Sequence, residues 1–345
     1  MNKLSLDEKS VYLFTDRLTR KYLSGVDVAE GFLIVHNGGA ICLTDARYYY
    51  AAKQDFAAVG IETVKYGGIE TLSQTIKSLN KENLLIDFTK ETVKDYQDYI
   101  EFGLNVLDCS IELSKIRAVK TQSEIEKIKK ACTIAEKAFY QGIKNLKVGV
   151  SENQIKVEIE NAIKEFGGDG ASFDIIVAFG KNAAVPHHVT GETVLENDQC
   201  VLVDMGAIVD GYMSDLTRTV FFGKPDQKFI DCYEAVKRAN ELAQAQITSG
   251  MTTNQADAVS RSFLQSKGLA EYFTHSLGHG VGLEIHEFPT LSPKRADELK
   301  ENFVFTIEPG VYFDGQFGIR IEDTVVIKNG KIERLFADSK ELLIL

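Results

Sequence analysis

A short motif occurs twice in this chain, 101 residues apart, and it constrains the fold more than any other sequence feature. The segment 149–154 reads Gly-Val-Ser-Glu-Asn-Gln, and the segment 250–255 reads Gly-Met-Thr-Thr-Asn-Gln. Each copy follows one predicted helix and begins another, and these second helices end at Gly167 and Gly268, where glycine can adopt a left-handed cap. We therefore predict an internally duplicated α+β domain with a functional site between its halves. Chance similarity is the alternative, because these residue types are common at helix boundaries.

The other helices and strands of this duplicated part have clear sequence signals. Thr121-Gln-Ser-Glu124 is a capping box, and it begins a predicted helix that reaches about residue 146. Another helix is predicted over about 226–247, where apolar residues recur at helical spacing. After Gly268 the apolar pattern predicts strands near 274–278, 303–308 and 318–327.

The first part of the chain has a different pattern, in which short apolar segments alternate with helical ones. A hairpin is predicted around Asn37-Gly38-Gly39, and a helix over 46–58. Further elements are predicted as strands near 61–66, 84–88 and 104–109, with helices near 69–79 and 90–102. We predict a small α/β domain over 1–115 and a larger α+β domain over 116–345, joined within 112–120.

Composition narrows the class of protein. The net charge is −11 and the sequence has no basic cluster, which argues against a nucleic-acid partner. No apolar run approaches the ~20 residues of a membrane-spanning helix, and the first residues lack a signal-peptide pattern. The five cysteines are isolated and form no CxxC pair, so we expect free thiols in a reducing compartment. These features predict a cytoplasmic protein without a nucleic-acid or membrane partner.

The segment 201–219 predicts a β-hairpin that carries two aspartates. Asp210-Gly211 separates two runs of alternating apolar and polar residues, which is a strong signal for a two-residue turn. In that register Asp204 faces Thr217, and Asp215 lies diagonal to Asp204 on the same face, about 7–8 Å away. Two carboxylates on an otherwise apolar face repel each other and resist burial, and a bound cation would relieve both costs. Two solvent-facing aspartates are the alternative.

A later glycine-rich segment, 276–289, contains histidines. His279 lies between two glycines, where the backbone can approach closely, and His275 and His286 are nearby in the sequence. This clustering favours a functional site, although a structural glycine turn is the alternative. The spacing differs from that of the HExxH metalloprotease helix, and the glycines disfavour a stable helix.

Two glutamates complete a set of oxygen ligands. Glu308 ends an apolar strand just before a Pro-Gly turn, and Glu322 shares a predicted strand face with Arg320, with which it could otherwise simply pair. Together with Asp204 and Asp215, this gives four carboxylates beside one imidazole. Such a set suits Mn²⁺, Co²⁺, Fe²⁺ or Zn²⁺ better than a thiolate site does. Four carboxylates exceed the charge of one divalent ion, which favours two metals.

From about residue 121 to its end, the chain resembles the pita-bread metallopeptidases. The resemblance rests on the family's five metal ligands, which this sequence matches in order at Asp204, Asp215, His279, Glu308 and Glu322. The preceding part is similar to the creatinase-type N-terminal domain of prolidases and aminopeptidases P, notably at Thr44-Asp-Ala-Arg-Tyr48. The resemblance therefore implies an α+β pita-bread catalytic domain, an Xaa-Pro peptidase activity and a homodimer. It also implies two divalent ions, with Mn²⁺ expected before Co²⁺, Zn²⁺ or Fe²⁺.

The resemblance implies a role for each matched ligand. Asp204 would bind one metal, and Asp215 and Glu322 would bridge both. His279 and Glu308 would complete the second metal site, and Glu308 would also accept and pass on a proton. The two ions would acidify the water that attacks the scissile bond.

Further histidines and a tyrosine match positions around the substrate. His187 matches the family's histidine near the leaving or attacking groups, and His286 matches the one that stabilises the tetrahedral intermediate. His275 and Tyr312 match positions that line the substrate pocket. His188 has no assigned role, since related sequences usually have a different residue there.

Two polar residues are expected to hold the ligands in place. The resemblance implies that Arg320 orients Glu322 and that Thr217 does the same for Asp215. Arg320 is thereby also a candidate residue of the substrate site.

The leading prediction is an exopeptidase like aminopeptidase P, which hydrolyses the Xaa-Pro bond at the N-terminus of peptides. Prolidase, which cleaves Xaa-Pro dipeptides with the same site, is the alternative, and it needs a cation for the substrate's C-terminal carboxylate. Lys294 and Arg295 are candidates for this cation, although we favour ordinary solvated loop charges. A non-catalytic binding protein on the same scaffold is a lower alternative, because creatinase-like relatives keep the fold without metals. No ligand is missing here.

Overall fold

A computed structural model of the chain describes residues 4–345, which divide into two compact units. The first unit ends at Ile116, and the second runs from Arg117 to Leu345. Among the described residues, no helix combines the length and the apolar composition that crossing a membrane requires.

The first unit is an α/β domain, as the alternating pattern predicted. Within the described residues its sheet consists of six strands: β1 (Ser10–Phe14), β2 (Phe32–His36), β3 (Gly39–Thr44), β4 (Glu62–Lys65), β5 (Asn83–Ile86) and β6 (Asn105–Asp108). They lie in the order β4-β3-β2-β1-β5-β6, with β2 antiparallel to both neighbours and the outer pairs parallel. The strands alternate with the helices α1 (Arg17–Ser24), α2 (Tyr49–Ala58), α3 (Ile69–Ser78) and α4 (Val93–Ile100).

Side chains of β1 show why this sheet is buried on both faces. Tyr12 and Phe14 belong to one apolar core, and Val11 and Leu13 belong to another. Because successive residues of a strand point to opposite faces, one apolar strand can contribute to two cores. The continuous apolar run of β1 therefore helps to build both cores of the domain.

The boundaries of two helices differ from the predictions. The helix predicted over 46–58 begins only at Tyr49, and the one predicted over 90–102 covers only the eight residues of α4. The two units divide between Ile116 and Arg117, inside the segment 112–120 and within the helix α5 (Ser110–Ala118). Helix ends are the least certain part of a sequence-based assignment, since several residues near an end can serve as a cap.

The second unit contains two halves, each with a pair of helices followed by strands. The first half comprises α6 (Gln122–Ile143), α7 (Glu152–Glu165), β7 (Gly170–Ala171), β8 (Ile176–Phe179), β9 (Gln199–Met205), β10 (Ala207–Val209), β11 (Tyr212–Met213) and β12 (Leu216–Phe222). The second comprises α8 (Gln227–Gln246), α9 (Thr253–Ser266), β13 (Gly278–Gly280), β14 (Glu287–Leu291), β15 (Val304–Ile307), β16 (Gly310–Phe313), β17 (Phe317–Arg320), β18 (Asp323–Lys328) and β19 (Lys331–Arg334). Among the described residues their sheets have the strand orders β11-β10-β7, β12-β9-β8, β14-β13-β15-β18-β19 and β16-β17.

The internal repeat is visible in the backbone. Gly149 and Gly250, which precede the second helix of each half, have φ values of 88° and 89°. Both helices then begin with a capping box, and the glycines that follow them, Gly167 and Gly268, have φ values of 87° and 71°. Only glycine adopts this conformation at little cost. The prediction of an internally duplicated α+β domain is confirmed.

Two strand predictions in the second half are wrong in detail. The strand predicted over 318–327 is divided into β17 and β18, which lie in different sheets. Between them Glu322 N donates to Thr217 O at 3.0 Å, so the chain leaves one ladder and joins the other. Arg320 and Glu322 therefore do not share one strand face.

The strand predicted over 274–278 begins only at Gly278. The preceding carbonyl groups of Phe273 and His275 accept hydrogen bonds from the guanidinium of Arg261, at 2.9 and 2.8 Å, and not from a neighbouring strand. An arginine on α9 thus replaces the strand pairing that the apolar pattern suggested. The pairing partner of β13 on one side is β14, which the sequence did not predict.

Candidate metal centre and active site

The predicted hairpin brings Asp204 and Asp215 to one site. Val209 pairs with Tyr212 across the Asp-Gly turn, and Asp204 pairs with Thr217, as the predicted register requires. The hairpin bends between β9 and β10 at Gly206, where an added Cβ would lie 1.9 Å from Ser214 O. This bend moves the turn into a separate small sheet and leaves the two aspartates at its base.

The two glutamates lie where strands of the second half end or change sheets. Glu308 directly follows β15, and its backbone N–H donates to Leu277 O at 2.8 Å. Glu322 lies between β17 and β18, and its side chain is almost fully buried. Thr324 links this region to the hairpin, since its hydroxyl accepts from Asp215 N at 3.1 Å and lies 2.8 Å from Asp215 O. Both halves of the duplicated unit therefore contribute carboxylates.

His279 is held between two close strands. Added Cβ atoms on Gly278 and Gly280 would lie 1.9 Å from Thr306 O and 2.3 Å from Phe288 O, so both positions require glycine. Nδ1 of the ring lies 3.2 Å from Gly280 O, which directs Nε2 towards the carboxylates. Nε2 lies 3.6 Å from Asp215 Oδ2 and 3.5 Å from Glu308 Oε1.

Three carboxylate oxygens in this cluster lack partners. Asp204 Oδ1, Asp215 Oδ1 and Glu322 Oε1 are buried, and no described residue donates a hydrogen bond to them. A buried acceptor without a donor is costly, and each such atom calls for an explanation. Asp215, His279 and Glu322 also offer ligand atoms within 4.8 Å of one another. Oxygen-rich donors with one imidazole fit a divalent cation.

The ionisation of these groups shows the same need for positive charge. Burial raises the pKa of Asp215 and of Glu308 well above the usual values, and the neighbouring carboxylates raise both further. Burial also raises the pKa of Glu322, to about 8, with Asp204 as the next largest cause. A bound cation would reverse this effect by stabilising the charged forms.

The positions of Arg320 and Thr217 correct the expected pairing. Arg320 was expected to orient Glu322, but its Nη2 donates to Asp204 Oδ2 at 2.6 Å. Thr217 was expected to orient Asp215, but its hydroxyl donates to Glu322 Oε2 at 2.6 Å. Arg320 Nε in turn donates to the Thr217 hydroxyl at 3.0 Å. Among the described residues, the guanidinium is therefore linked to Glu322 through the Thr217 hydroxyl. The strand is interrupted at Glu322, which moves the Glu322 side chain off the strand face that carries Arg320.

A hydrogen-bonded chain leads from this guanidinium to the expected substrate pocket. Arg320 Nη1 donates to the Tyr312 hydroxyl at 2.8 Å, and His275 Nε2 lies 2.9 Å from the same hydroxyl. Burial, followed by the charge of Arg320, lowers the pKa of His275 to about 3, so its ring is neutral. Burial raises the pKa of Tyr312 to about 12. His275 and Tyr312 are therefore neutral side chains that are hydrogen-bonded in line with the charged Arg320.

Two more predicted histidines lie at the same site. The ring centres of His286 and His279 are 4.3 Å apart, in an edge-to-face arrangement. Partial burial lowers the pKa of His286, and the neighbouring His187 lowers it further. His187 also acts on the pKa of His275, and its own side chain is exposed to solvent. His188 instead contacts Glu152, with 2.9 Å between Nε2 and Oε2.

Sequence reasoning missed two buried carboxylates that support these histidines. Glu287 Oε1 accepts from the backbone N–H groups of Leu283 and Glu284, and Glu287 Oε2 accepts from Lys120 Nζ at 2.9 Å. Glu152 has its partners in the segment that carries His187. The sequence did contain a signal for Glu152: the two copies of the repeated motif differ there, with Thr253 at the matching position of the second copy. Lys294 and Arg295, the other candidate cations, are exposed between β14 and β15.

Comparisons with known proteins identify relatives for both units. Residues 126–329 match the model of metallopeptidase family M24, and residues 2–119 match that of the creatinase/prolidase N-terminal domain. The Xaa-Pro dipeptidase of Pyrococcus furiosus is 36% identical over 323 residues, which cover 93% of this chain and 92% of the relative.

Solved structures share the whole fold. The Xaa-Pro dipeptidase from Bacillus anthracis has a TM-score of 0.93 at 36% identity, covering 97% of this chain and 95% of that one. The X-Pro aminopeptidase from Thermotoga maritima has a TM-score of 0.89 at 32% identity, covering 99% and 96%. The fold found here is thus the one that these peptidases share.

Proposed function

This chain belongs to metallopeptidase family M24 and is a metallo-exopeptidase with a creatinase-type N-terminal domain, and we propose that it hydrolyses Xaa-Pro dipeptides. The observation that carries the proposal is the buried cluster of carboxylates and one imidazole, in which three oxygens have no hydrogen-bond partner among the described residues. Such a cluster suits metal-assisted hydrolysis. The sequence alone favoured an aminopeptidase P-like enzyme, whereas relatives named Xaa-Pro dipeptidase support the alternative.

Cleavage of longer peptides is the second candidate function. It is favoured by the similarity to the X-Pro aminopeptidase from Thermotoga maritima, which matches this chain over almost its full length. Both candidates use the same cluster and differ only in what must be recognised beyond the proline. A dipeptide ends in a carboxylate there, and a longer peptide continues.

The residues that would hold the metals are the five ligands matched from the sequence. Asp204 would bind one divalent ion, and His279 and Glu308 would bind the other. Asp215 and Glu322 would each contribute to both. Two ions are proposed because four carboxylates exceed the charge of one. Mn²⁺ is proposed first, because oxygen donors dominate the set. Bound ions would supply the positive charge that acidifies an attacking water and polarises the scissile carbonyl.

The protein's own side chains would bind, orient and move protons. Glu308 would accept the proton of the attacking water, and the Thr306 hydroxyl, 3.3 Å from Oε1, holds it in place. His286 would donate a hydrogen bond to the developing oxyanion, and its lowered pKa keeps the ring neutral for this task. His187 would act near the leaving group. His275 would line the pocket as a neutral ring, since a charged one would repel the metals.

We also propose the cytoplasmic location and the homodimer that the sequence predicted. The five cysteines are all buried and unpaired in the structure, which is compatible with a reducing compartment.

Product analysis tests the proposal. Protein loaded with Mn²⁺ is incubated with an Xaa-Pro dipeptide and with an Xaa-Pro-Xaa tripeptide, and free amino acids are measured over time. We expect far faster release from the dipeptide. Faster cleavage of the tripeptide would favour the aminopeptidase instead, and cleavage of neither peptide by metal-loaded protein would refute both.

Matched controls connect the activity to the cluster. Protein treated with a chelator should be inactive and should recover when Mn²⁺ is restored. Asp215→Ala should be inactive and should bind less metal while it remains folded. Activity of Asp215→Ala in metal-free buffer at the wild-type rate would refute the site.

A further inference from the structure

Glu152 is a fully buried carboxylate that the proposed reaction does not use. It is the first residue of α7 after the cap residue Ser151, and its side chain has no exposed surface. A buried carboxylate is costly unless it is paired or hydrogen-bonded. Among the described residues, His188 is its partner at ion-pair distance, and no lysine or arginine reaches it. The carboxylate must therefore be stabilised by hydrogen bonds and by its place at a helix N-terminus.

The hydrogen bonds of this carboxylate all lead to one segment, residues 179–191, which we call the histidine loop. Oε1 accepts from Phe179 N at 2.9 Å and from Asn182 Nδ2 at 2.8 Å. Oε2 lies 2.9 Å from His188 Nε2 and accepts from Gly191 N at 3.2 Å. One side chain thus holds the beginning, the middle and the end of the loop.

The histidine loop carries His187 to the site. His187 lies between Pro186, whose carbonyl oxygen accepts from Arg320 Nη1 at 3.5 Å, and His188, which contacts Glu152. The loop also packs tightly elsewhere, since an added Cβ on Gly318 would lie 1.8 Å from Ala183 O. The loop is therefore clamped between α7 and β17, with His187 exposed between the two contacts.

The other half of the duplicated unit provides an internal reference. Thr253 occupies the position that matches Glu152, at the start of α9. Both residues donate a backbone hydrogen bond to a following segment, to Thr193 O at 3.0 Å and to Asp297 O at 2.9 Å. The Thr253 hydroxyl accepts from the backbone N–H of Asp297 at 3.2 Å. The helix start therefore does not need a glutamate, and the hydrogen bonds to the histidine loop distinguish Glu152 from Thr253.

We propose that Glu152, together with His188, is a positioning residue that fixes the histidine loop and thereby places His187 for the reaction. The hydrogen bonds of the Glu152 carboxylate go to the histidine loop and not to the proposed metal ligands, so it would act through the loop. This inference rests on the proposed function for the role of His187, and on the structure alone for the fixing of the loop.

Hydrogen exchange tests the fixing of the loop without any assay of activity. Peptides that cover 179–191 are compared by mass spectrometry in the wild type, in Glu152→Ala and in Thr253→Ala. We expect faster exchange of these peptides in Glu152→Ala only, because that change removes the acceptor of Phe179 N and Gly191 N. Unchanged exchange, or equally faster exchange in Thr253→Ala, would overturn the proposal.

A double-mutant cycle tests the functional consequence. Since a displacement of about 1 Å can cost ~10²-fold in rate, Glu152→Ala should lower kcat by ~10- to ~100-fold, with little change in KM or in metal content. In a background of His187→Ala, the same change should lower kcat by no more than about twofold, because its effect acts through His187. Effects that multiply in the double variant would contradict the proposal.

A second variant covers the case in which Glu152→Ala does not fold. Glu152→Gln keeps the volume but replaces one acceptor oxygen by a donor, so it should also speed exchange of the histidine loop and lower kcat. Wild-type kinetics and exchange in Glu152→Gln would count against the proposal. If the wild type cleaves neither peptide, the proposed function fails, while the exchange measurement still decides whether Glu152 fixes the loop.

Discussion

At the scale of single residues, the site is dominated by carboxylates that are too close together for a protein without a cation. Asp204 has one guanidinium partner, Arg320, and Glu322 has one hydroxyl partner, Thr217. Each leaves its other oxygen without a donor among the described residues. Like charges in a buried site favour protonation, because a proton removes both the repulsion and the desolvation cost. The stability of the metal-free protein should therefore depend on pH.

We predict that the metal-free protein becomes less stable between about pH 5 and pH 8. Burial and then Asp204 raise the pKa of Glu322 to about 8 in the folded state, whereas the unfolded chain has its usual value of 4.5. The folded state therefore keeps a proton that the unfolded chain has released. This contribution is fully present below the unfolded pKa and is lost as the pH rises through the folded pKa. Thermal unfolding of chelator-treated protein across this interval measures it.

The control for this prediction is Glu322→Gln, which cannot ionise. Its free energy of unfolding should vary less with pH than that of the wild type over the same interval. A wild-type stability that rises from pH 5 to pH 8 without metal would contradict the raised pKa of the cluster.

At the scale of elements, β13 shows how a short strand can place one ligand. Its three residues are Gly278, His279 and Gly280, and it pairs with β14 on one side and with β15 on the other. The glycines permit a separation that a side chain would prevent, and the register shifts between His279 and Gly280. Such irregularities in a strand commonly redirect a side chain next to an active site.

We predict that Gly278→Ala weakens both the fold and the metal site. The added Cβ would lie 1.9 Å from the backbone oxygen of Thr306, so β13 must move away from β15. Overpacking of this kind costs about 1–3 kcal/mol, and a displaced ligand lowers metal affinity by ~10-fold or more. Chemical unfolding and metal titration measure the two effects.

Gly191→Ala is the matched control. An added Cβ on Gly191 would lie 3.9 Å from Val189 O, an ordinary van der Waals distance, and the backbone conformation suits alanine. This variant should unfold like the wild type. Equal losses of metal affinity in both variants would show that glycine replacement acts through something other than the displacement of His279.

At the scale of the whole molecule, the catalytic unit is assembled from its two halves. Asp204 and Asp215 come from the first half, and His279, Glu308 and Glu322 come from the second. Buried contacts also join the halves behind the site: Arg218, for example, donates to Asp323 Oδ1 at 2.7 Å and to Glu322 O at 2.5 Å. Ligands from both halves mean that a bound metal would connect them.

We predict that metal stabilises the second unit and leaves the first unchanged. A metal that binds only the folded state adds about 4 kcal/mol to the free energy of unfolding when its free concentration is about 1,000 times the dissociation constant. Calorimetry of metal-free and Mn²⁺-loaded protein should therefore show an upward shift of one unfolding transition. Asp215→Asn should abolish most of this shift, and a shift of equal size in that variant would place the stabilising metal elsewhere.

Local signals in the sequence determined much of the architecture. The Asp-Gly turn fixed the hairpin register, because the side-chain period of a strand leaves little freedom once the turn is set. The capping boxes of α6, α7 and α9 fixed the starts of those helices, since they satisfy the first backbone N–H groups locally. The repeated motif revealed the duplication for the same reason, as each copy is one cap and one glycine turn.

Only the tertiary structure decided which polar groups meet. The guanidinium of Arg320 donates to Asp204, 116 residues away in the sequence. The Glu152 carboxylate accepts hydrogen bonds from a loop that lies 27 to 39 residues further along the chain. The division of the strand at Glu322 likewise depends on Thr217, which belongs to the other half of the unit. Sequence patterns report which face of an element is buried, because burial follows local periodicity. They do not report the partner of a buried charge, because that choice depends on where distant elements place their side chains.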